Sequence, residues 1–261
     1  LDGVDVTWAL PGGFFVRDVA ANSDVYPFAN GHCTELGLGL QWSVDEQPDH
    51  LAVTGRITNA RAGDRAIQLI FALPAQEGDW QWHDDIRHQR ALAGSGEFAN
   101  TSSADAGSTG TLSVYPVAAV SGARNGLALA LDMATPALYR LFYHAVTRQL
   151  CIAYDFGLAP DTARFPNSAE FRFVIYRLPG DGGFRAALDR LGRVFPEYFR
   201  VRSPTQGTWM PFTDVATIPS WQDFGFRYHE GDNNAAWDDA HQVLSFRYLE
   251  PMNWWMPMSP E

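Results

Sequence analysis

Apolar and polar residues alternate with a period of two over most of the first 180 positions, and that alternation sets the expected fold. Leu36, Leu38, Leu40 and Trp42 alternate with Gly37, Gly39 and Gln41, the pattern of a strand with one buried face. Residues 51–58 alternate again and 59–64 read as a loop. Residues 66–73 are apolar on both faces, as a central strand of stacked sheets is. Further strands are predicted over 111–120, 126–133, 138–145, 149–156 and 169–178. In the last of these, Phe171, Phe173 and Ile175 point one way and Arg172, Val174 and Tyr176 the other. Strands at this spacing with few helices predict a mainly β chain built on a large antiparallel β-sandwich of the super-sandwich type. No sequence repeat is visible, which disfavours propellers and solenoids. Residues 94–110 are small and polar and read as a surface loop.

The period then changes. Phe184, Ala187, Leu188, Leu191, Phe195 and Phe199 fall near helical spacing and make one apolar stripe, with Arg185, Asp189, Arg190 and Arg193 mostly off it. The longest helix is therefore expected over 183–195, laid on a sheet and ended by Pro196, which removes a helical N–H and disfavours a helical Phe195. Beyond it the chain becomes aromatic, with five of nine tryptophans after position 203. Residues 223–230 read as a strand ending in polar residues, 233–240 as a turn and 243–250 as a second strand. The pattern thus divides into a β-sandwich over 1–180, a linker helix over 181–202 and an aromatic-rich β segment over 203–261. That last segment reads as the start of a truncated second domain, or else as a tail tucked against the sandwich, because 254–258 are an apolar run. The start at Leu1, without Met or a signal-like segment, is expected of a mature or excised piece or of a start not shown.

Composition narrows the classes of partner. The net charge is −11 and all 19 basic side chains are arginine, so an acidic surface would repel phosphate backbones and nucleic acid is not expected. No window approaches the ~20 apolar residues of a membrane span, so no membrane partner is expected. Cys33 and Cys151 could pair in an oxidising compartment or stay as two buried thiols, and no CxxC supports a zinc ribbon. No P-loop, G-x-G-x-x-G or G-x-S-x-G motif follows a strand.

Certain stretches resemble a known organisation. The last sandwich strand runs into Gly-Phe-Arg-Ala-Ala-Leu (183–188) and Phe-Pro-Glu-Tyr-Phe (195–199). Gly-Thr-Trp-Met-Pro-Phe (207–212) and Asp-Phe-Gly-Phe-Arg-Tyr-His-Glu-Gly (223–231) follow. This order resembles the N-terminal half of multidomain glycoside hydrolases, in which a galactose-mutarotase-like super-sandwich is joined by a linker helix to a catalytic barrel. The resemblance implies a carbohydrate-active module, the non-catalytic front part of such a protein. Carbohydrate and a missing C-terminal domain of the same protein would be its partners, and no cofactor is implied. It would make 223–230 the first strand of a barrel and place the acid/base and nucleophile carboxylates on later strands. Two other readings are a stand-alone sugar-binding or scaffolding module and a small glycosidase using carboxylates of the C-terminal segment.

Two polar clusters could carry chemistry. In residues 80–90, Trp80 and Trp82 could stack on a pyranose while His83, Asp84, Asp85 and Arg87 bind its hydroxyls. His83, Asp84, Asp85 and His88 could instead offer ligands to Ca²⁺ or a transition metal, and no metal ligand set is assigned. The bland alternative is an ion-paired structural loop in which Arg87 or Arg90 holds Asp84 or Asp85. The second cluster interleaves Asp223, Arg227, His229, Glu230, Asp238, Asp239, His241 and Glu250 with Trp221, Tyr228, Trp237, Tyr248 and Trp254. Glycoside hydrolysis works with two carboxylates about 5–10 Å apart, which makes Glu230, Glu250 and Asp223 the catalytic candidates. Trp221, Arg227 and Trp237 are the substrate-contact candidates in this cluster. Against them stands the plain use of Asp and Glu as solvated turn residues.

Overall fold

The period-two segments of the chain become strands of two facing antiparallel sheets. The computed structural model describes residues 12–75, 79–103, 111–135, 137–161, 166–203 and 205–248. They fall into two units, Leu1–Phe199 and Arg200–Glu261. In chain order the first unit holds β1 (Gly13–Asp18), β2 (Tyr26–Pro27), β3 (His32–Cys33), β4 (Leu38–Glu46), β5 (Leu51–Asn59) and β6 (Arg65–Pro74). There follow β7 (Gln81–His83), β8 (Gln89–Ala91), β9 (Glu97–Ala99), β10 (Thr101–Ser103), β11 (Thr111–Ser113) and β12 (Val117–Ser121). The unit's last strands are β13 (Asn125–Leu131), β14 (Leu138–His144), β15 (Gln149–Leu158) and β16 (Ser168–Pro179). One sheet runs β2-β1-β6-β15-β14-β9 and the other β3-β4-β5-β16-β13-β12-β7-β8, with β10-β11 as a separate ribbon.

The core lies between the two large sheets. Val16, Ile67, Leu69, Leu150 and Ile152 from one sheet meet Val53, Ile57, Leu127, Leu129, Phe171 and Phe173 from the other. β6, apolar on both faces, is paired on both sides, by β1 and β15, as its sequence requires. The stretch 111–120 is split into β11 and β12, because Pro116 has no N–H to give a ladder. Trp42, expected on a buried face, is 54% exposed. β3 pairs only with Leu38 and Gly39, so the far half of β4 is an edge strand and Trp42 keeps Phe14 at 5.4 Å but loses cover on its open side. Cys33 and Cys151 are buried free thiols on strands of different sheets, and burial pushes the Cys151 thiol far up.

The amphipathic segment forms α1 (Gly183–Val194), followed by the single turn α2 (Pro196–Phe199). Phe184, Ala187, Leu191 and Phe195 are buried against Val117, Ala119, Ala128, Ala130, Val174 and Tyr176 on the outer face of the eight-stranded sheet. The Tyr176 hydroxyl donates to the Ala187 carbonyl at 2.8 Å. Leu188 is half-buried and Phe199 is 49% exposed, because the break at Pro196 turns the stripe away from the sheet.

The second unit changes the rule of pairing. β17 (Thr208–Pro211), β18 (Phe226–Glu230) and β19 (Leu244–Phe246) form a parallel sheet in that order, with α3 (Ala235–Ala240) on the crossover from β18 to β19. The stretch 233–240, expected as a turn, is therefore a helix over most of its length. The strand expected over 223–230 begins only at Phe226, after a 3₁₀ turn at Trp221–Phe224, and it is the central strand rather than the first. Met210, His229 and Ser245 are in register on the face that α3 covers. On the opposite face Trp209, Tyr228 and Leu244 are in register, then Pro211, Glu230 and Phe246. Trp209 is 50%, Leu244 53% and Phe246 41% exposed.

Candidate functional site

Where strands run parallel, their carboxyl ends gather on one edge of the sheet, and that edge is where such folds seat ligands. Here the edge holds the ends of β17, β18 and β19, and Glu230 is the last residue of the middle strand. Glu230 is only 9% exposed, and no hydrogen bond or ion pair reaches its carboxylate among the described residues. Its backbone carbonyl accepts the Phe212 N–H at 2.8 Å. Behind it, on the face turned to α3, His229 and Asp238 are wholly buried, with His229 Nδ1 2.6 Å from Asp238 Oδ2. The Ser245 hydroxyl donates to the same oxygen at 2.7 Å, so one carboxylate ties β18, α3 and β19 together. Among the described residues His229 Nε2 and Asp238 Oδ1 have no hydrogen-bond partner. A Cβ on Gly231 would lie 2.9 Å from His229 Nε2, which reserves that position for glycine. Asp214 accepts the Ala216 N–H at 2.9 Å and the Asn234 amide at 3.2 and 3.0 Å, fixing the loop after β17 to the start of α3.

Aromatic residues follow the ends of the two neighbouring strands. Phe212, directly after β17, has φ +59° and is 61% exposed. A bulky residue in the left-handed region carries strain of order 1–3 kcal/mol, held only where neighbours fix the backbone. The Phe212 ring meets Tyr248 at 5.2 Å in an edge-to-face arrangement, and Tyr248 is 47% exposed. Asp232 and Arg247 form an exposed ion pair at 3.0 Å nearby in sequence to both strand ends. An exposed aromatic pair and an unpartnered carboxylate on one sheet edge have the chemistry to hold the apolar face of a sugar ring and accept its hydroxyls. Phe212, Ser245, Asp214 and Asn234 had not stood out in the sequence. Phe212 sat in the Trp-Met-Pro-Phe stretch, but only its backbone conformation sets it apart.

The other candidates are placed elsewhere. Trp80 and Trp82 are 3% and 1% exposed, so neither offers a face to a sugar, and the stacking platform expected there is corrected. β7 is an interior strand, with β12 on one side and β8 on the other, and its tryptophan turns into the core. Trp80 Nε1 donates to Asn125 Oδ1 at 3.2 Å and Trp82 Nε1 to Asp84 Oδ1 at 3.0 Å. Arg90 grips Asp84 with two bonds of 2.7 Å, and Asp85 holds His88 at 2.8 Å and accepts the Arg87 and His88 N–H groups. The His88 ring and those two N–H groups bring the Asp85 carboxyl down to about 2, and Asp85 in turn raises His88. The loop is thus ion-paired and self-satisfied, with the Arg87 side chain exposed. His83 is buried, its Nε2 2.8 Å from Ser121 Oγ, and burial lowers its pKa. With their carboxylates so used, Asp84 and Asp85 do not converge on an ion. Among the described residues no three His, Cys, Asp or Glu side chains gather as a metal site would need.

In the second unit Trp221 and Trp237 meet at 4.9 Å, and His241 stacks on Trp237 at 4.0 Å. Trp221 lies before β18, at the amino end of the strand, so this half-buried cluster packs α3 rather than lining the carboxyl edge. Asp223 is exposed at the same end. β18 alone separates it from Glu230 by about 13 Å at ~3.3 Å per residue, too far for a catalytic pair, and that assignment is withdrawn. Arg227 is half-buried on the face of β18 that carries His229. Glu250 lies outside the described residues.

No family model matches the chain, and no curated protein matches it. Among solved structures it is similar to the crystal structure of the Slr1438 protein from Synechocystis sp. PCC 6803, at 10% identity and a TM-score of 0.34. That likeness covers 66% of this chain and 64% of the other, and it is too slight to argue from. Among the described residues no helix is long and apolar enough to cross a membrane.

Proposed function

We propose that the chain is a carbohydrate-active module, the largely non-catalytic front part of a glycoside hydrolase-like protein. In this reading a mutarotase-like sandwich and strap helix lead into a β/α domain. The observation that supports it is the parallel sheet of the second unit, with one face under α3 and apolar side chains exposed on the other. Parallel sheets in folded proteins are covered on both faces, yet Trp209, Leu244 and Phe246 stand 41–53% exposed. A β/α barrel closes with about eight strands, and three parallel strands lie among the described residues. On this reading the exposed face is turned to the inside of a barrel, and Glu230 stands at its ligand end on the same edge as Phe212 and Tyr248.

A glycosidase needs a second carboxylate within about 5–10 Å of the first, and Asp223 does not supply one. The module is therefore expected to bind oligosaccharide weakly, at ~1 mM, about −4 kcal/mol, and to turn nothing over. The full chain should be tested on a glycan array, by NMR titration with the oligosaccharides that score, and on a panel of chromogenic glycosides. Saturable shifts lost in Phe212→Ala are the expected result. Turnover abolished by Glu230→Gln would overturn the non-catalytic assignment, and silence across the whole panel at tens of millimolar would overturn the carbohydrate one. The stand-alone binding alternative relied on Trp80 and Trp82, which the core occupies.

A further inference from the structure

Resting on that reading, we infer that the glycan taken at the carboxyl ends of β17–β19 carries no negative charge: it is a neutral or amino-bearing sugar, not a uronate, sialylated or sulfated one. The inference starts from the state of Glu230. The residue is 9% exposed, and among the described residues its carboxylate has neither a donor nor a cation. An ionised carboxylate has no proton to give and can only accept. Hydroxyls and ammonium groups bring donors to it. A ligand carboxylate brings none and adds a like charge beside it.

The surrounding charges point the same way. Asp214 is the next carboxylate on this edge, and its partners, the Ala216 N–H and the Asn234 amide, are neutral. Asp232 follows, and the guanidinium of Arg247 is already spent on it at 3.0 Å. Asp238 is buried behind the sheet, facing His229. Recognition of an anionic sugar usually calls on a planar guanidinium that grips the carboxylate with two hydrogen bonds. Arg247 would have to leave Asp232 to do so, and Arg227 stands on the other face of β18, which α3 covers. The exposed Phe212 and Tyr248 rings supply contact with C–H faces and are indifferent to charge.

The test compares sugars that differ only in charge. The full chain is titrated by NMR with tetragalacturonate and its methyl ester, and with a glucosamine tetramer and its N-acetylated form, reading the Phe212, Glu230 and Tyr248 signals. The ester is expected to bind at least tenfold more tightly than the free acid, and the glucosamine tetramer at least as well as its acetylated form. Raising the salt from about 0.01 M to 0.5 M should narrow the ester–acid gap, since screening shortens the reach of the carboxylates. Glu230→Gln should narrow it as well, and the salt series reads the same effect without any substitution. A free acid that binds as tightly as its ester, or a gap that salt does not move, overturns the inference and leaves the carbohydrate reading standing. If no tetrasaccharide, charged or neutral, shifts these signals, both fall together.

Discussion

Leu191→Ala probes the strap helix at the point where it is most firmly seated. Leu191 is 1% exposed, and the sheet surface beneath α1 is lined largely by Ala119, Ala128, Ala130, Val117 and Val174. Removing three carbons forfeits roughly 2.4 kcal/mol at about 0.8 kcal/mol per buried methylene. Alanine and valine side chains are too short to reach into the gap. A residual cavity of about 50 Å³ would add roughly 1.2 kcal/mol at ~24 cal/mol per Å³. The total expected loss is about 3–4 kcal/mol. Leu188, half-buried on the same helix, should cost about half as much. Urea unfolding followed by far-UV circular dichroism and tryptophan fluorescence measures both, with Trp80 and Trp82 reporting on the sandwich core. The chain has two units, so the transitions are to be fitted separately wherever the two probes fail to coincide. A loss below about 1 kcal/mol for Leu191→Ala, or a larger loss at Leu188, would refute the packing described for α1.

Gly183→Ala should destabilise the sandwich unit by about 1–3 kcal/mol, read in the same denaturation, because Gly183 has φ +48° and a Cβ there would come within 2.9 Å of the His83 ring. Burial lowers the His83 pKa, so below about pH 6.5 the unfolded chain takes up a proton that the folded chain resists. Stability should therefore fall as the pH drops from about 6.5 through the folded pKa, and His83→Gln should remove that part of the slope. Asp84→Ala strands the Trp82 indole N–H and Arg90, and should cost about 1–3 kcal/mol while leaving glycan titrations unchanged, the reverse of what a sugar-binding role would give. Asp238→Ala leaves His229 and Ser245 without their shared acceptor and should lower the second unit's transition by roughly 3 kcal/mol with the sandwich transition in place.

The sandwich was legible because its strands carry their environment in their pattern. β16 alternates Phe171, Phe173 and Ile175 with Val174 and Tyr176, and the structure uses both rows, one for the core between sheets and one for the seat of α1. Trp42 illustrates the limit of the same reasoning. Period two says which side a residue points to, but not whether a neighbouring strand extends far enough to cover it. The Trp80-Gln-Trp82 alternation was ambiguous for a related reason. Two tryptophans on one strand face suit a ligand platform and a core equally, and only the flanking β12 and β8 decide for the core. α3 was missed because six residues are less than two helical turns, too few to display a 3.6 period.

The site was hidden by something the residue pattern does not encode, the direction of pairing. Short apolar runs such as those of β17, β18 and β19 read the same in parallel and antiparallel sheets. The lengths between them did hold a signal. A dozen or more residues separate Pro211 from Phe226 and Glu230 from Leu244, enough for crossovers and far more than a tight hairpin uses. Once those crossovers are taken, chemistry follows from geometry. All three carboxyl ends meet at one edge, so Phe212, Glu230 and Tyr248, distant in sequence, gather there, while Asp223 and Trp221 are sent to the other edge. Glu230 was a sound candidate as a carboxylate at a strand end, but the sequence could not tell its end from that of Asp223. Direction makes that distinction, and among the described residues it puts Glu230 on the same sheet edge as the exposed rings of Phe212 and Tyr248.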